Sequence, residues 1–330
     1  MIVLLTGATG FVGAHVAREL ARAGHEIAGV DLNPPDQYVT TYLGQPGEHV
    51  RFVRADVSAR GALTDAVPGS VDAIVHAAVV TSTLELETRD PQRVVAVNLL
   101  GTLEVLRYGR QAGARRFVYV SSSGVYGETD PASSLRESHP VQLKTLYAMT
   151  KYASEEIVAS DAGHGLETAS VRIAAPYGPM ERPTGARTVM SVMHALVRAA
   201  VAGETVRLAG ADVARDWTHA ADIAQAIRLL LEAPTFTHAC YNVSSGTAIP
   251  LGRVADALVR IAPPFSWHPA RPGEAFIDGT RASRRGPLDI ARIRALGFAP
   301  RYDLDEGLEE TITSIRRIEA AGPAASGGAK

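Results

Sequence analysis

Tyr147 and Lys151 stand four residues apart in Tyr147-Ala148-Met149-Thr150-Lys151, and three consecutive serines, Ser121, Ser122 and Ser123, lie upstream of them. A Tyr and a Lys at i and i+4 leave one face of a helix, one turn apart. A phenol is ordinarily a weak acid with a pKa near ~10, and a neighbouring ammonium favours its ionised form. A serine hydroxyl beside such a pair can hold a substrate oxygen while the phenol moves its proton. These groups are equipped to oxidise an alcohol, provided that a hydride acceptor lies alongside. The same spacing also suits an ordinary amphipathic surface helix, so its meaning rests on the elements around it.

The N-terminus supplies the acceptor's signature. Ile2-Val3-Leu4-Leu5-Thr6 is a short apolar run that reads as a buried strand. Gly7-Ala8-Thr9-Gly10-Phe11-Val12-Gly13 follows at once, then an amphipathic segment over residues 11–23, then a second short strand over 26–30 closing on Asp31. Strand, glycine turn, helix, strand and acid is the order of a dinucleotide cradle. Gly7 permits the tight turn, Gly10 lets backbone approach a pyrophosphate, Gly13 lets the helix pack close, and the helix N-terminus faces the phosphates. The Asp31 carboxylate can accept from the adenosine ribose hydroxyls and repels a 2′-phosphate, so NAD is expected over NADP.

Short strands at 50–54, 72–76, 115–121 and 167–173 alternate with helical segments at 91–112, 147–162 and 187–202. This pattern predicts an α/β fold, a doubly wound parallel Rossmann sheet with a smaller C-terminal substrate-binding lobe. The expected division is an NAD-binding domain over 1–176, to which 213–246 returns, and a substrate lobe over 177–212 and 247–318. Residues 319–330 form a tail expected to be disordered.

The chain has 330 residues, 46% hydrophobic and 21% charged, with a net charge of −2. That balance offers no electrostatic case for nucleic acid or an anionic membrane as partner. No apolar run reaches the ~18 residues of a membrane span, and Met1 leads directly into the first strand, which leaves no room for a signal peptide. The single cysteine, Cys240, cannot form an internal disulfide, and there is no Cys/His cluster for a structural metal. A cytoplasmic location follows as the expectation.

The motifs occur in a characteristic order: the glycine turn, Asp56-Val57, His76-Ala77-Ala78, Asn98-x-x-Gly101-Thr102, the serines with Val125-Tyr126-Gly127, and Tyr147-x-x-x-Lys151. Tyr177-Gly178-Pro179, Arg215-Asp216-Trp217-x-His219 and Arg271-Pro272-Gly273-Glu274 continue the series. Over residues 1–318 the chain resembles the extended short-chain dehydrogenase/reductases, specifically the NAD-dependent epimerase/dehydratase family. The resemblance implies that Tyr147 is the acid/base, Ser122 the hydroxyl that holds the substrate oxygen, and Lys151 the residue that holds the nicotinamide ribose and lowers the tyrosine pKa. It further implies that Asp56 and Val57 border the adenine, that Ala77 and Ala78 pass along the cofactor, that Asn98 braces the active-site helix, and that Pro176 lines the nicotinamide end. Asp56 can equally cap a turn, and Asn98 can be an ordinary helix residue.

For the substrate, the resemblance points to a sugar or nucleotide sugar. Arg215 and Arg271 match family positions that bind a diphosphate, as a guanidinium fork suits, although either can instead form an interdomain ion pair. Arg182 and Arg187 fall in a substrate-lobe loop, where at least one reads as surface solvation. Thr81, Ser82 and Thr83 can offer hydroxyls or cap a helix. Ser123 and Gly124 stand where dehydratases carry Asp-Glu, which ranks 4,6-dehydration low. Ala175 stands where many nucleotide-sugar epimerases carry Asn, so one polar substrate contact is missing. The leading reading is a nucleotide-sugar epimerase. The alternatives are an NAD-dependent dehydrogenase of a free sugar, sugar acid or other small alcohol, and a non-catalytic NAD-binding regulatory protein. The segments 91–112 and 147–162 resemble helices that pair between subunits in this family, so a homodimer is expected.

Overall fold

Along the strand Ile2–Thr6, Val3 and Leu5 point to one face and Leu4 to the other, and all three are fully buried. In the computed structural model, which describes residues 1–322 except 82, 164, 185, 186, 188, 282 and 283, this strand is central in a seven-stranded parallel sheet. The spatial order is Cys240–Val243, Glu167–Ile173, Arg116–Ser122, Ala73–His76, Ile2–Thr6, Glu26–Asp31 and Val50–Arg54. Helices Phe11–Arg22 and Ala220–Glu232 cover the face of Val3 and Leu5. Helices Gly101–Gln111 and Leu146–Ser160 contribute to the cluster around Leu4, Ile74 and Phe117 on the other face. Burial on both faces explains why these strands read as continuous apolar runs. The expected doubly wound α/β sheet is therefore present.

Chain order reverses between Ile2–Thr6 and Ala73–His76. A crevice opens at such a switch point, outside the carboxyl ends of the strands. Gly7 and Ala77, the residues that follow these two strands, are at its floor.

A second core gathers Tyr177, Leu196, Val213, Trp217, Leu258 and Ile312. Beside it Thr205–Ala209 pairs with Ser266–Pro269 and Ile277–Asp278. Leu288, Ile290, Ile293, Phe298 and Ile318, though within residues 247–318, pack into the main-sheet core instead. Helix Leu304–Ala320 also runs two residues into the span expected to be disordered, where Glu319 pairs with Arg198 at 2.6 Å. Residues 323–330 and Ser82 lie outside the described residues. Among those residues, no helix is long and apolar enough to cross a membrane.

The helical segment expected over 91–112 is continuous but changes pitch. Pro91–Val95 passes into a π-turn, Ala96–Leu100, before Gly101–Gln111. At the wide turn the Asn98 carbonyl accepts from Thr102 Oγ1 and from Ser154 Oγ, each at 2.9 Å. The π-turn thereby frees Asn98 to join two helices, a use such turns often have beside functional sites.

Candidate active site

A cavity of about 890 Å³ occupies the crevice. Every site residue expected from the sequence lines it except Asn98 and Arg271.

The glycine turn forms one wall. Gly7 has φ +71°, and a Cβ there would lie 2.8 Å from Ala78 N and 2.9 Å from the Ala77 carbonyl. A Cβ on Gly13 would lie 1.9 Å from Gly7 O, and one on Gly10 at 3.1 Å from the same oxygen. Only glycine fits at Gly7 and Gly13, and the wall they form is bare backbone at the start of helix Phe11–Arg22. Phe11 and Val12 extend that wall. At the end of the next strand, Asp31 Oδ2 accepts from Thr9 N at 3.1 Å and Oδ1 from Asn33 N at 3.3 Å. Its carboxylate is held at the cavity rim. Asp56 does cap a turn, accepting from Ser58 N at 2.9 Å and Ser58 Oγ at 2.7 Å, and it lines the cavity with Val57 as well. A bare-backbone turn opening a helix, with a carboxylate beyond it, fits a dinucleotide diphosphate and ribose.

Helix Leu146–Ser160 forms the facing wall. Thr145 caps it by accepting from Ala148 N at 3.1 Å. Tyr147 lines the cavity together with Ser122, which sits at the end of strand Arg116–Ser122 and accepts from Gly124 N at 3.0 Å. A Cβ on Gly124 would lie 3.1 Å from Ser122 Oγ and 3.7 Å from the Tyr147 ring, so absence of a side chain keeps this corner open. Burial raises the Tyr147 phenol above its ordinary value, opposed by the neighbouring Ser122 hydroxyl and by the charge of Arg187.

Lys151 is buried one turn further on. Its Nζ donates to Val120 O at 2.7 Å and stands 4.7 Å from the Tyr119 ring centre. Burial lowers it to about 7, against the pull of Glu155. Of the nearby charges, that of Arg187 opposes the rise of Tyr147, while the Lys151 ammonium is engaged by Val120 O. Glu155 is itself tied to Ser121 and accepts from Arg172 Nη2 at 2.6 Å.

The remaining candidates separate by place. Asn98 is buried behind the cavity, where its side chain accepts from Val80 N at 2.8 Å and donates to Val80 O at 3.1 Å and to Thr150 at 3.4 Å. It braces the wall rather than facing the crevice. His76 is buried between Thr6 and Thr102, and burial lowers it to about 3. Thr81 and Pro176 line the cavity, and Thr83 caps helix Leu84–Arg89. Arg187 pairs with Glu181 and stands over Phe11. Arg182 grips Asp36 with two hydrogen bonds, 2.5 and 3.1 Å, and both residues line the cavity. Arg215 lines the cavity above Trp217. Arg271 does not join it. It is exposed in a turn closed by Glu274 N to Arg271 O, and Glu274 pairs with Arg207 at 3.1 Å. Arg285, which the sequence did not single out, lines the cavity instead. Its only local signal is a charged pair, Arg284-Arg285, before Gly286-Pro287.

Glycine cradle, switch-point crevice and Tyr/Lys pair together define an NAD-dependent enzyme of the extended short-chain dehydrogenase/reductase type. The model of the NAD dependent epimerase/dehydratase family matches residues 3–244, and the chain belongs to that family. It is 28% identical to the UDP-glucose 4-epimerase of Mycolicibacterium smegmatis, over 96% of this chain and 99% of that one. It is 30% identical to a dTDP-glucose 4,6-dehydratase of Streptomyces antibioticus, over 98% of both. The solved structure of MoeE5 in complex with UDP-glucuronic acid and NAD aligns with a TM-score of 0.76 at 27% identity, covering 96% of this chain and 99% of that chain.

Proposed function

We propose that the chain is a nucleotide-sugar epimerase that transiently oxidises a secondary hydroxyl of its substrate. The observation that carries this reading is that Ser122, Tyr147 and Lys151 line the same cavity as the glycine cradle. NAD, when bound in the cradle, supplies a reversible hydride acceptor. In its ionised form Tyr147 takes the hydroxyl proton and later returns it, and Ser122 holds the same oxygen as it becomes a carbonyl. Lys151, with donors remaining beyond Val120 O, binds the nicotinamide ribose. Asp31 binds the adenosine ribose. Arg215 binds the substrate diphosphate, with Thr81 and Arg187 on the sugar side.

Dehydration needs an acid to assist a departing hydroxyl. Ser123 and Gly124 provide none beside Ser122. A second reading, a dehydrogenase of a free sugar or sugar acid, draws on Ala175, which lines the cavity without a polar group.

Leu100, Leu103 and Met149 are exposed on the two central helices. Their exposure supports a homodimer built through these helices, which sedimentation would test, and we place the enzyme in the cytoplasm. Incubation with NAD and a panel of UDP- and dTDP-hexoses tests the reaction. Isomerised product without net NADH is expected. Net NADH from a free sugar overturns the epimerase reading in favour of the dehydrogenase.

A further inference from the structure

Residues 284–289 form a strap that is stitched down at nearly every step. Thr129 N donates to Arg284 O at 3.2 Å, Leu135 N to Pro287 O at 2.8 Å, and Asp289 N to Leu135 O at 2.9 Å. Gly286 N donates to Thr129 Oγ1 at 3.1 Å, and Leu288 N to Asp216 Oδ2 at 2.9 Å. A Cβ on Gly286 would lie 1.9 Å from Ser133 O, so the strap presses directly on the neighbouring loop. Asp216, which anchors one end, is the residue after Arg215.

This fixed strap delivers the Arg285 side chain into the cavity. Nε donates to Gly127 O at 2.8 Å, and Nη1 to Ser123 Oγ at 3.1 Å. The guanidinium thus lies against the residue that follows Ser122, at the end of the cavity where the reacting hydroxyl is held. Burial and the positive charge of Arg215, opposed by Glu128, hold it down to about 10. Two guanidiniums close enough to repel each other in one cavity form a strong anion site. One diphosphate accounts for Arg215. Arg285 is held against Ser123, next to Ser122, and a planar guanidinium there matches the two oxygens of a carboxylate.

We propose that Arg285, with Ser123, is a carboxylate subsite and that the sugar is a hexuronate. A uronate whose reacting oxygen is held by Ser122 presents its carboxylate to Ser123 and Arg285. The assignment rests on the nucleotide-sugar reading only for Arg215's role.

The test measures binding of UDP, UDP-glucose and UDP-glucuronate to the full-length protein with NAD, in wild type and Arg285→Met, and NADH formation from free glucuronate and glucose. Wild type is expected to prefer UDP-glucuronate over UDP-glucose by about tenfold or more. Arg285→Met should remove that preference and weaken UDP much less than UDP-glucuronate. An equal loss for UDP and UDP-glucuronate makes Arg285 a diphosphate ligand and overturns the assignment, while the nucleotide-sugar reading stands. No nucleotide binding, with Arg285-dependent NADH from free glucuronate, sinks the nucleotide reading and keeps the carboxylate subsite. No preference of wild type for the acid in either series overturns the subsite even if the variant fails to fold.

Discussion

Glu87 accepts hydrogen bonds from the backbone N–H groups of Leu146 and Tyr147, Oε2 and Oε1 each at 3.0 Å. A carboxylate at a helix N-terminus satisfies donors that have no partner within the helix and complements its dipole. Here it also fixes the residue that carries the phenol. Glu87→Ala should therefore cost about 0.5–2 kcal/mol in urea unfolding and lower kcat. Unchanged kcat and stability would show that Thr145 caps the helix sufficiently by itself.

Tyr147→Phe should lower kcat by about 10²- to 10⁴-fold, the span of a positioned acid/base. NAD affinity should change little, because the cradle is formed by backbone and Asp31. Calorimetric titration with NAD separates the two effects, and a comparable loss of NAD affinity would remove Tyr147 from the role of proton carrier.

Lys151 gives the protein a pH-dependent stability. Its folded value of about 7 lies below the ~10.4 of an unfolded lysine. Below pH 7 both states are charged and folding must bury an ammonium. Between the two values the unfolded chain holds a proton that the folded chain lacks, so stability rises with pH. The melting temperature of Lys151→Met minus that of wild type should be largest at pH 6 and shrink by pH 9. A gap that stays constant refutes titration of Lys151 in this range.

Asp31 should decide between the two nicotinamide cofactors. Asp31→Ala should weaken NAD by roughly ten- to a hundredfold, the worth of hydrogen bonds to a charged group, and narrow its advantage over NADP. Steady-state kinetics with both cofactors checks this; equal use of both by wild type contradicts the assignment.

Glu155 and Arg172 are both nearly excluded from solvent and form a three-point ion pair, 2.6–3.1 Å. Removing one charge strands the other. Glu155→Gln should destabilise by about 3–5 kcal/mol in chemical unfolding, whereas a loss below about 1 kcal/mol would place the pair in a high-dielectric setting.

Features carried by local spacing were legible in the sequence. A glycine turn after a strand, an acid at the end of the next strand, and Tyr147 one helical turn from Lys151 follow from chain geometry over a few residues. Asn98 was half legible: the family resemblance implied bracing, but the π-turn that lets its carbonyl receive Thr102 and Ser154 arises from packing of two helices. Glu87 and Glu155 carry no local signal of their roles, because their partners are 59 and 17 or more positions away.

The sequence by itself determined the sheet, the cradle and the residues able to move a proton, since each is specified by periodicity or by a short run. Only the tertiary structure decided which arginines line the cavity. Arg271 sits in a family-like motif yet ends in an exposed turn, whereas Arg285 has almost no local signature and reaches the cavity. The reason is physical: Arg285 is aimed by a strap whose hydrogen bonds run to Thr129, Leu135 and Asp216, contacts between segments distant in the chain that no local pattern encodes.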